Sequence, residues 1–114
     1  MKAEDIIEGL NRHIETKRQS LSIMTTGHLV LQKSMKPHQT FKAYKEYEYV
    51  LWFVKGGKKC RVITLKHTAK VLDGQEESLL GELNIMLSEL IFNWIGSPFY
   101  DNVIMGKYNE CTNE

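Results

Sequence analysis

The sequence predicts an α+β fold in which a three-stranded antiparallel sheet is flanked by an N-terminal helix and a C-terminal helix, in the order α-β-β-β-α. Two observations predict the helices: near each end of the chain, apolar residues recur at steps of three and four. A third predicts the sheet. Between the helices, two runs of aromatic and β-branched residues are joined by Gly56-Gly57.

The first helix is predicted from an apolar stripe near the start of the chain. Its members are Ile6, Ile7, Leu10, Ile14 and Leu21, with the stem of Lys17 along the same line. Acidic residues occupy the first turns and cations the last, which suits the helix dipole. We expect this helix to end before Gly27.

The first strand is predicted from the apolar run His28–Gln32, which Pro37 ends. A second run alternates from Phe41 to Val54, and a third covers residues 60–65. If Gly56 and Gly57 form the loop, the second and third runs make a hairpin, because primed turns need positive φ at their centre.

The hairpin register follows from that loop. The predicted cross-strand pairs are Lys55–Lys58, Phe53–Cys60, Trp52–Arg61 and Leu51–Val62. One face then carries Tyr47, Tyr49, Leu51, Phe53, Cys60 and Val62, and the other carries Val50, Trp52, Val54, Lys59, Arg61, Ile63 and Leu65. Both faces are partly apolar, so this pattern does not decide which one is core.

The C-terminal helix is predicted from the apolar residues between Leu79 and Ile95. Asp73 and Glu76 have the spacing of a capping pair before it, and Gly96-Ser97-Pro98 ends it. A short extra helix or an ordered loop follows Pro98, and the polar tail 109–114 is expected to fray. We expect residues 1–114 to form a single domain.

Charge is distributed unevenly along the chain. Residues 33–70 contain ten cations and two acidic residues, a net charge of +8, whereas residues 71–114 contain one cation and eight acidic residues, a net charge of −7. A basic block of this kind attracts an acidic protein surface or a polyanion. Carboxylates of the acidic end, such as Glu76, Glu77, Glu82 and Glu89, would remove that attraction if they paired with the hairpin lysines.

Catalytic, metal and cofactor signatures are weak in this sequence. His13, His28, His38 and His67 lack the close ligand spacing of metal sites, so neither a metal nor another cofactor is predicted. Cys60 and Cys111 are expected to be free thiols. The cations around Cys60 would lower its pKa, which leaves a Cys60-based enzyme as an alternative to the non-enzymatic prediction.

The sequence has no apolar stretch long enough to span a bilayer, and its first residues turn acidic at once. No membrane partner is therefore predicted, and the expected location is the cytoplasm.

The function that the pattern favours is a small non-enzymatic binding protein, such as an inhibitor, an adaptor or a regulatory subunit. Its predicted contact surface is the basic hairpin and the adjoining sheet face, formed by Trp52, Lys55, Lys58, Lys59, Arg61 and Lys66. The expected partner is a protein with an acidic surface. A homodimer is also possible, in which the basic hairpin of one copy meets the acidic helix of another.

The alternative function is nucleic-acid binding by the same lysine-rich hairpin, because two-stranded ribbons fit DNA grooves and lysines neutralise phosphates. DNA or RNA is therefore a second predicted partner, with Tyr44, Tyr47, Tyr49 and Trp52 as stacking surfaces. The element order is that of the double-stranded-RNA-binding domain. The second helix opens with Gln75-Glu76-Glu77, where that family carries lysines, so no membership is assigned.

A second contact surface is predicted where the C-terminal helix stops. Trp94, Phe99 and Tyr100 form an aromatic cluster there. Aromatic residues contribute strongly to binding energy, although the helix face itself is expected to be core.

Overall fold

The structure is a computed structural model that describes residues 2–21, 27–72 and 74–100, with the backbone alone for residues 17–21. Its elements are α1 (Ala3–Leu21), β1 (His28–Pro37), β2 (Tyr44–Lys55), β3 (Lys58–Lys70) and α2 (Glu76–Trp94). The three strands form one antiparallel sheet in the order β1-β2-β3. The predicted α+β fold and element order are therefore confirmed.

The predicted two-residue hairpin between β2 and β3 is also confirmed. Gly56 and Gly57 have φ values of 56° and 78°, which a side chain would strain. Lys55 lies opposite Lys58, and Phe53 lies opposite Cys60. Trp52 lies opposite Arg61, as the loop length predicts.

One predicted pair is wrong because β3 contains a bulge. Leu51 lies opposite Ile63 instead of Val62, so Val62 is the additional residue on β3. The extra residue reverses the side-chain parity of the rest of the strand. Ile63 and Leu65 therefore lie on the same face as Leu51, opposite to the prediction.

The hydrophobic core lies between the two helices and one face of the sheet. It joins residues of α1, α2 and the odd-numbered residues of β2, among them Tyr47, Tyr49, Leu51 and Phe53. Leu51, Leu83, Leu87 and Ile91 are its largest fully buried side chains. This answers the question that sequence alternation leaves open: the face containing Leu51 is the core face, and both helices pack against it.

Element boundaries differ from the sequence expectations at two places. β2 begins at Tyr44 because residues 39–43 form a turn, in which the Tyr44 amide donates to the carbonyl of Phe41 at 3.0 Å. The N-cap of α2 is Gln75 with no side-chain capping bond, so the capping pair predicted from Asp73 and Glu76 is wrong. Asp73 itself lies outside the described residues.

The end of α2 agrees with the sequence. Gly96 has a φ of 83°, as expected for a residue that terminates a helix, and Pro98–Tyr100 are helical. The remainder of the predicted extra element and the tail 109–114 lie outside the described residues. No described helix is both long enough and apolar enough to cross a membrane.

Polar contacts fix α1 against the sheet and against α2. The Asn11 side chain accepts from the Leu29 amide at 2.7 Å and donates to the Leu29 carbonyl at 3.0 Å. The Ala3 amide donates to Asn84 Oδ1 at 3.0 Å. Lys33 pairs with Glu4, and its Nζ lies 5.5 Å from the ring centroid of Tyr49. These contacts set the position of α1 over β1.

Gly27 provides a sharp test of core packing. A Cβ added at Gly27 would overlap the ring of Phe53, which is 2% exposed within the core. We expect Gly27→Ala to lower the free energy of unfolding by about 1–3 kcal/mol, because overpacking displaces neighbouring side chains. The matched control is Gly9→Ala in α1, where a Cβ meets nothing within 4 Å. The control should raise stability by about 0.5–1 kcal/mol. Urea denaturation measures both, and equal stabilities would contradict the packing described above.

Glu4 provides a test of pH dependence. Its hydrogen bond with Lys33 is the main cause that lowers the pKa of its carboxyl below the ordinary value of 4.5. A lowered folded-state pKa contributes stability that is present above about pH 4.5 and is lost as the pH falls through the folded-state value. We expect Glu4→Gln to flatten the loss of stability between about pH 5 and about pH 3. The control is Glu8→Gln, one turn further along the exposed side of α1. If both variants follow the wild-type pH profile, the Glu4–Lys33 pair has no energetic role.

Candidate functional site

The face of the sheet that points away from both helices is the candidate functional surface, here called the open face. It carries the even-numbered residues of β1 and β2, together with Lys59, Arg61, Lys66 and Lys70 of β3. Its cross-strand rows, from the hairpin outwards, are His28–Val54–Lys59, Val30–Trp52–Arg61, Gln32–Val50–Thr64, Ser34–Glu48–Lys66 and Lys36–Glu46–Thr68.

Trp52 forms the centre of the open face. The Arg61 guanidinium carbon lies 5.0 Å from its ring centroid, and Lys59 Nζ lies 5.6 Å from it. The indole Nε1 donates to Gln32 Oε1 at 2.8 Å. Trp52 is consequently 6% exposed although neither α1 nor α2 covers it. The side chains on this face thus form a small second layer, whose outer surface is cationic.

Towards the end of the open face away from the hairpin, two of the cations are neutralised by carboxylates. Lys36 pairs with Glu46 at 3.3 Å, and Lys66 pairs with Glu48 at 3.6 Å. A cavity of about 420 Å³ lies here, lined by both pairs together with Ser34, Met35, Tyr47, His67 and Thr68. Paired charges at a solvated surface exert little attraction on a distant ligand.

The hairpin end of the sheet is different, because no carboxylate in the described residues neutralises its lysines. Of these lysines, Lys59 lies on the open face, whereas Lys55 and Lys58 lie on the same face as Phe53 and Cys60. Lys55, Lys58 and Lys59, called the tip lysines below, form no ion pair with any other described residue. Lys58 and Lys59 are exposed and Lys55 is half-buried. Lys55 and Lys58 lie directly opposite each other, an arrangement that is mildly destabilising by itself.

The acidic helix α2 neutralises one lysine of the basic block, but not the tip lysines. Lys45 Nζ lies 3.4 Å from Glu76 Oε1. In the described part of the chain, Glu77, Glu82 and Glu89 pair with no cation. Pairing between the acidic helix and the basic block therefore occurs at Lys45, away from the tip.

The predicted aromatic surfaces are mostly buried. Tyr47 and Tyr49 lie on the core face and are 4% and 5% exposed, so they offer no surface to a stacking base. Trp94 belongs to the core cluster, and Phe99 and Tyr100 pack against it. The rings of Trp94 and Tyr100 meet edge to face at 5.0 Å. Burial of this kind favours a core role for the three residues predicted as a second contact surface.

Cys60 differs from its expected state. It is 2% exposed and disulfide-bonded, so the prediction of a free thiol is wrong at this position. A buried disulfide sulfur is not available as a thiolate nucleophile. Cys111, the second cysteine of the sequence, lies outside the described residues. Among the residues that the structure describes, no group of three His, Cys, Asp or Glu side chains is arranged to hold a metal ion.

Two features of the open face are missing from the sequence prediction. Gln32, the acceptor for Trp52, lies on a different strand, and nothing in the local pattern pairs them before the β1–β2 register is known. The sequence places Lys66 and Arg61 in one contact surface. The two residues are five positions apart, however, so in a regular strand they would lie on opposite faces. The bulge at Val62 brings both to the open face.

In comparisons with protein-family models, with curated proteins and with solved structures, the chain matched none of them.

The hydrogen bond between Trp52 and Gln32 gives a direct test of how the open face is held together. We expect Gln32→Leu to lower the free energy of unfolding by about 1–3 kcal/mol, because it leaves a buried indole N–H without an acceptor. Gln32→Glu keeps an acceptor at the same position and should retain most of that stability. Urea denaturation followed by tryptophan fluorescence measures both variants. A Gln32→Leu protein as stable as the Glu variant would contradict this assignment.

Proposed function

We propose that this chain is a small non-enzymatic binding protein that contacts an acidic protein surface through the tip lysines and the hairpin end of the open face. The observation that carries the proposal is the contrast between the two ends of that face. Lys36 and Lys66 are matched by carboxylates, whereas the tip lysines have no carboxylate within ion-pair distance among the described residues.

The cost of clustering like charges supports this proposal. Lys55 and Lys58 face each other across the turn, and Lys59 follows directly. The fold gains nothing from this repulsion, since Gly56 and Gly57 already satisfy the turn. An acidic partner would relieve the repulsion on binding and would be steered towards the tip by long-range attraction.

The shape of the open face also suits a protein partner. Between the tip lysines and the ion-paired end, a shallow depression of about 290 Å³ is lined by Val30, Leu31, Gln32, Trp52, Val54 and Lys59. Val30 is 39% exposed there. A small apolar area with a cationic rim is the usual composition of a protein interface.

Nucleic-acid binding is the second candidate, and the placement of Lys59, Arg61 and Lys66 on one face of β3 favours it. Two features favour protein instead. Lys66 is paired with Glu48, which lowers the net attraction for phosphates, and Trp52 is covered by cationic side chains. Single-strand binding relies on exposed aromatic rings, which this face does not offer in the described residues.

The cytoplasmic location expected from the sequence stays a prediction that no comparison tests. The disulfide bond of Cys60 favours an oxidising compartment instead, because disulfides persist there and are rare in the cytosol.

Charge reversal at the tip tests the proposal. We expect Lys58→Glu with Lys59→Glu to weaken binding of a fluorescent poly-glutamate probe at least about tenfold in low salt, since attraction becomes repulsion. The control is Lys2→Glu with Lys42→Glu, which changes the net charge equally at two other exposed lysines. Glutamate also keeps a charge on the sheet edge, so protection against edge-to-edge aggregation is retained.

Oligonucleotide probes in the same anisotropy assay separate the two candidate functions. Tighter binding to single-stranded DNA or to duplex RNA, with a steep dependence on salt, would favour nucleic acid. Equal loss of poly-glutamate binding in the control variant would show that net charge alone is responsible. In that case the tip has no specific role, and the proposal fails.

A further inference from the structure

Helix α2 carries apolar side chains on the side that faces away from the core. Ile85 is 59% exposed and Phe92 is 56% exposed. At about 100° per residue, Ile85 lies roughly 160° and Phe92 roughly 140° around the helix from the fully buried Leu87. The two residues are seven positions apart, so they lie on one line along the helix, about 10 Å from each other.

Carboxylates border this apolar line. Glu82 precedes Ile85 by three positions, and Glu89 lies four positions after Ile85 and three before Phe92, which puts them next to one another on the helix surface. Glu82 and Glu89 are exposed and pair with no cation in the described part of the chain. Glu82, Ile85, Glu89 and Phe92 are called the outward face of α2 below.

All of the charged side chains of α2 are acidic. Glu76, Glu77, Glu82 and Glu89 are its charged residues, and it contains no Lys, Arg or His. An exposed helix ordinarily mixes both signs along its polar face. An apolar line bordered by charges of one sign is complementary to an apolar line bordered by the opposite sign.

Pairing of the outward face with the same face of a second copy is unfavourable on these grounds. It would bring Glu82 and Glu89 of both copies to one seam, and like charges there repel each other. The basic hairpin of a second copy fits poorly too, since its tip consists of Gly56, Gly57 and lysines and offers no apolar side chain to Ile85 or Phe92.

We propose that the outward face of α2 is a second docking surface, which binds a basic amphipathic helix of a partner protein. Ile85 and Phe92 are its apolar anchors, and Glu82 and Glu89 pair with lysine or arginine side chains of the partner. A helix is the fitting occupant because anchors two turns apart match the spacing of apolar side chains along a second helix packed beside α2.

This surface is independent of the tip lysines. It has the opposite charge, and it belongs to α2 instead of the β2–β3 hairpin. A protein with both surfaces would join a basic partner to an acidic one.

The probe for this proposal is a labelled synthetic peptide of about four helical turns, with leucine on one face and lysine or arginine beside it. We expect the peptide to bind the full chain, and Ile85→Ser with Phe92→Ser to weaken the binding at least about tenfold. Met35→Ser with Phe41→Ser is the matched control, because these residues are 49% and 59% exposed on the β1–β2 side. Circular dichroism confirms that each variant is folded.

Exchange of charge keeps the test decisive if the serine variant is destabilised. Glu82→Lys with Glu89→Lys should lose the basic peptide and gain binding of an otherwise identical acidic peptide. Failure of the basic peptide to bind, or unchanged binding in the serine and lysine variants, would overturn the proposal. So would a dimer in sedimentation velocity that the serine variant dissociates, since the occupant would then be a second copy.

The tip variant Lys58→Glu with Lys59→Glu should bind the basic peptide at least as well as wild type, so this result is separable from that for the open face.

Discussion

The bulge at Val62 is the constraint on which the arrangement of the sheet depends. Because side chains alternate along a strand, a single additional residue decides the face of every later position in β3. With the bulge, Ile63 and Leu65 contribute to the core. Without it, they would face solvent and Lys66 would point into the apolar layer between sheet and helices, away from Glu48.

The same bulge gives the open face its two distinct ends. Arg61 precedes it and stacks on Trp52, whereas Lys66 follows it and pairs with Glu48 on the same surface. Arg61 and Lys66, five positions apart, thus lie on one face, and only Lys66 is paired there with a carboxylate among the described residues. The central strand is buried on both sides as a result, since Val50 and Trp52 are 2% and 6% exposed beneath the side chains of β1 and β3.

Local patterns were sufficient to predict the element order, the hairpin loop and the first three cross-strand pairs. Each depends on neighbouring residues: the two glycines set the turn, and alternation from Tyr44 to Val54 sets the strand. The bulge could not be predicted, because Val62 and Ile63 are chemically alike and either suits a regular strand. The contact between Trp52 and Gln32 and the ion pair between Lys45 and Glu76 both depend on residues that are distant in sequence.

In the folded structure, some charges of the basic and acidic blocks are used in ion pairs and others are not. Within the basic block, Lys33, Lys36, Lys45 and Lys66 are paired with carboxylates, whereas the tip lysines at the hairpin pair with none in the described residues. The acidic block is divided in the same way, since Glu76 is used within the fold while Glu82 and Glu89 border exposed apolar residues. Charges that pair within the fold stabilise it modestly and are screened by salt, whereas charges without a partner still act at a distance. The tip lysines and the outward face of α2 belong to different elements, the β2–β3 hairpin and a helix, so an acidic and a basic partner could occupy them at the same time.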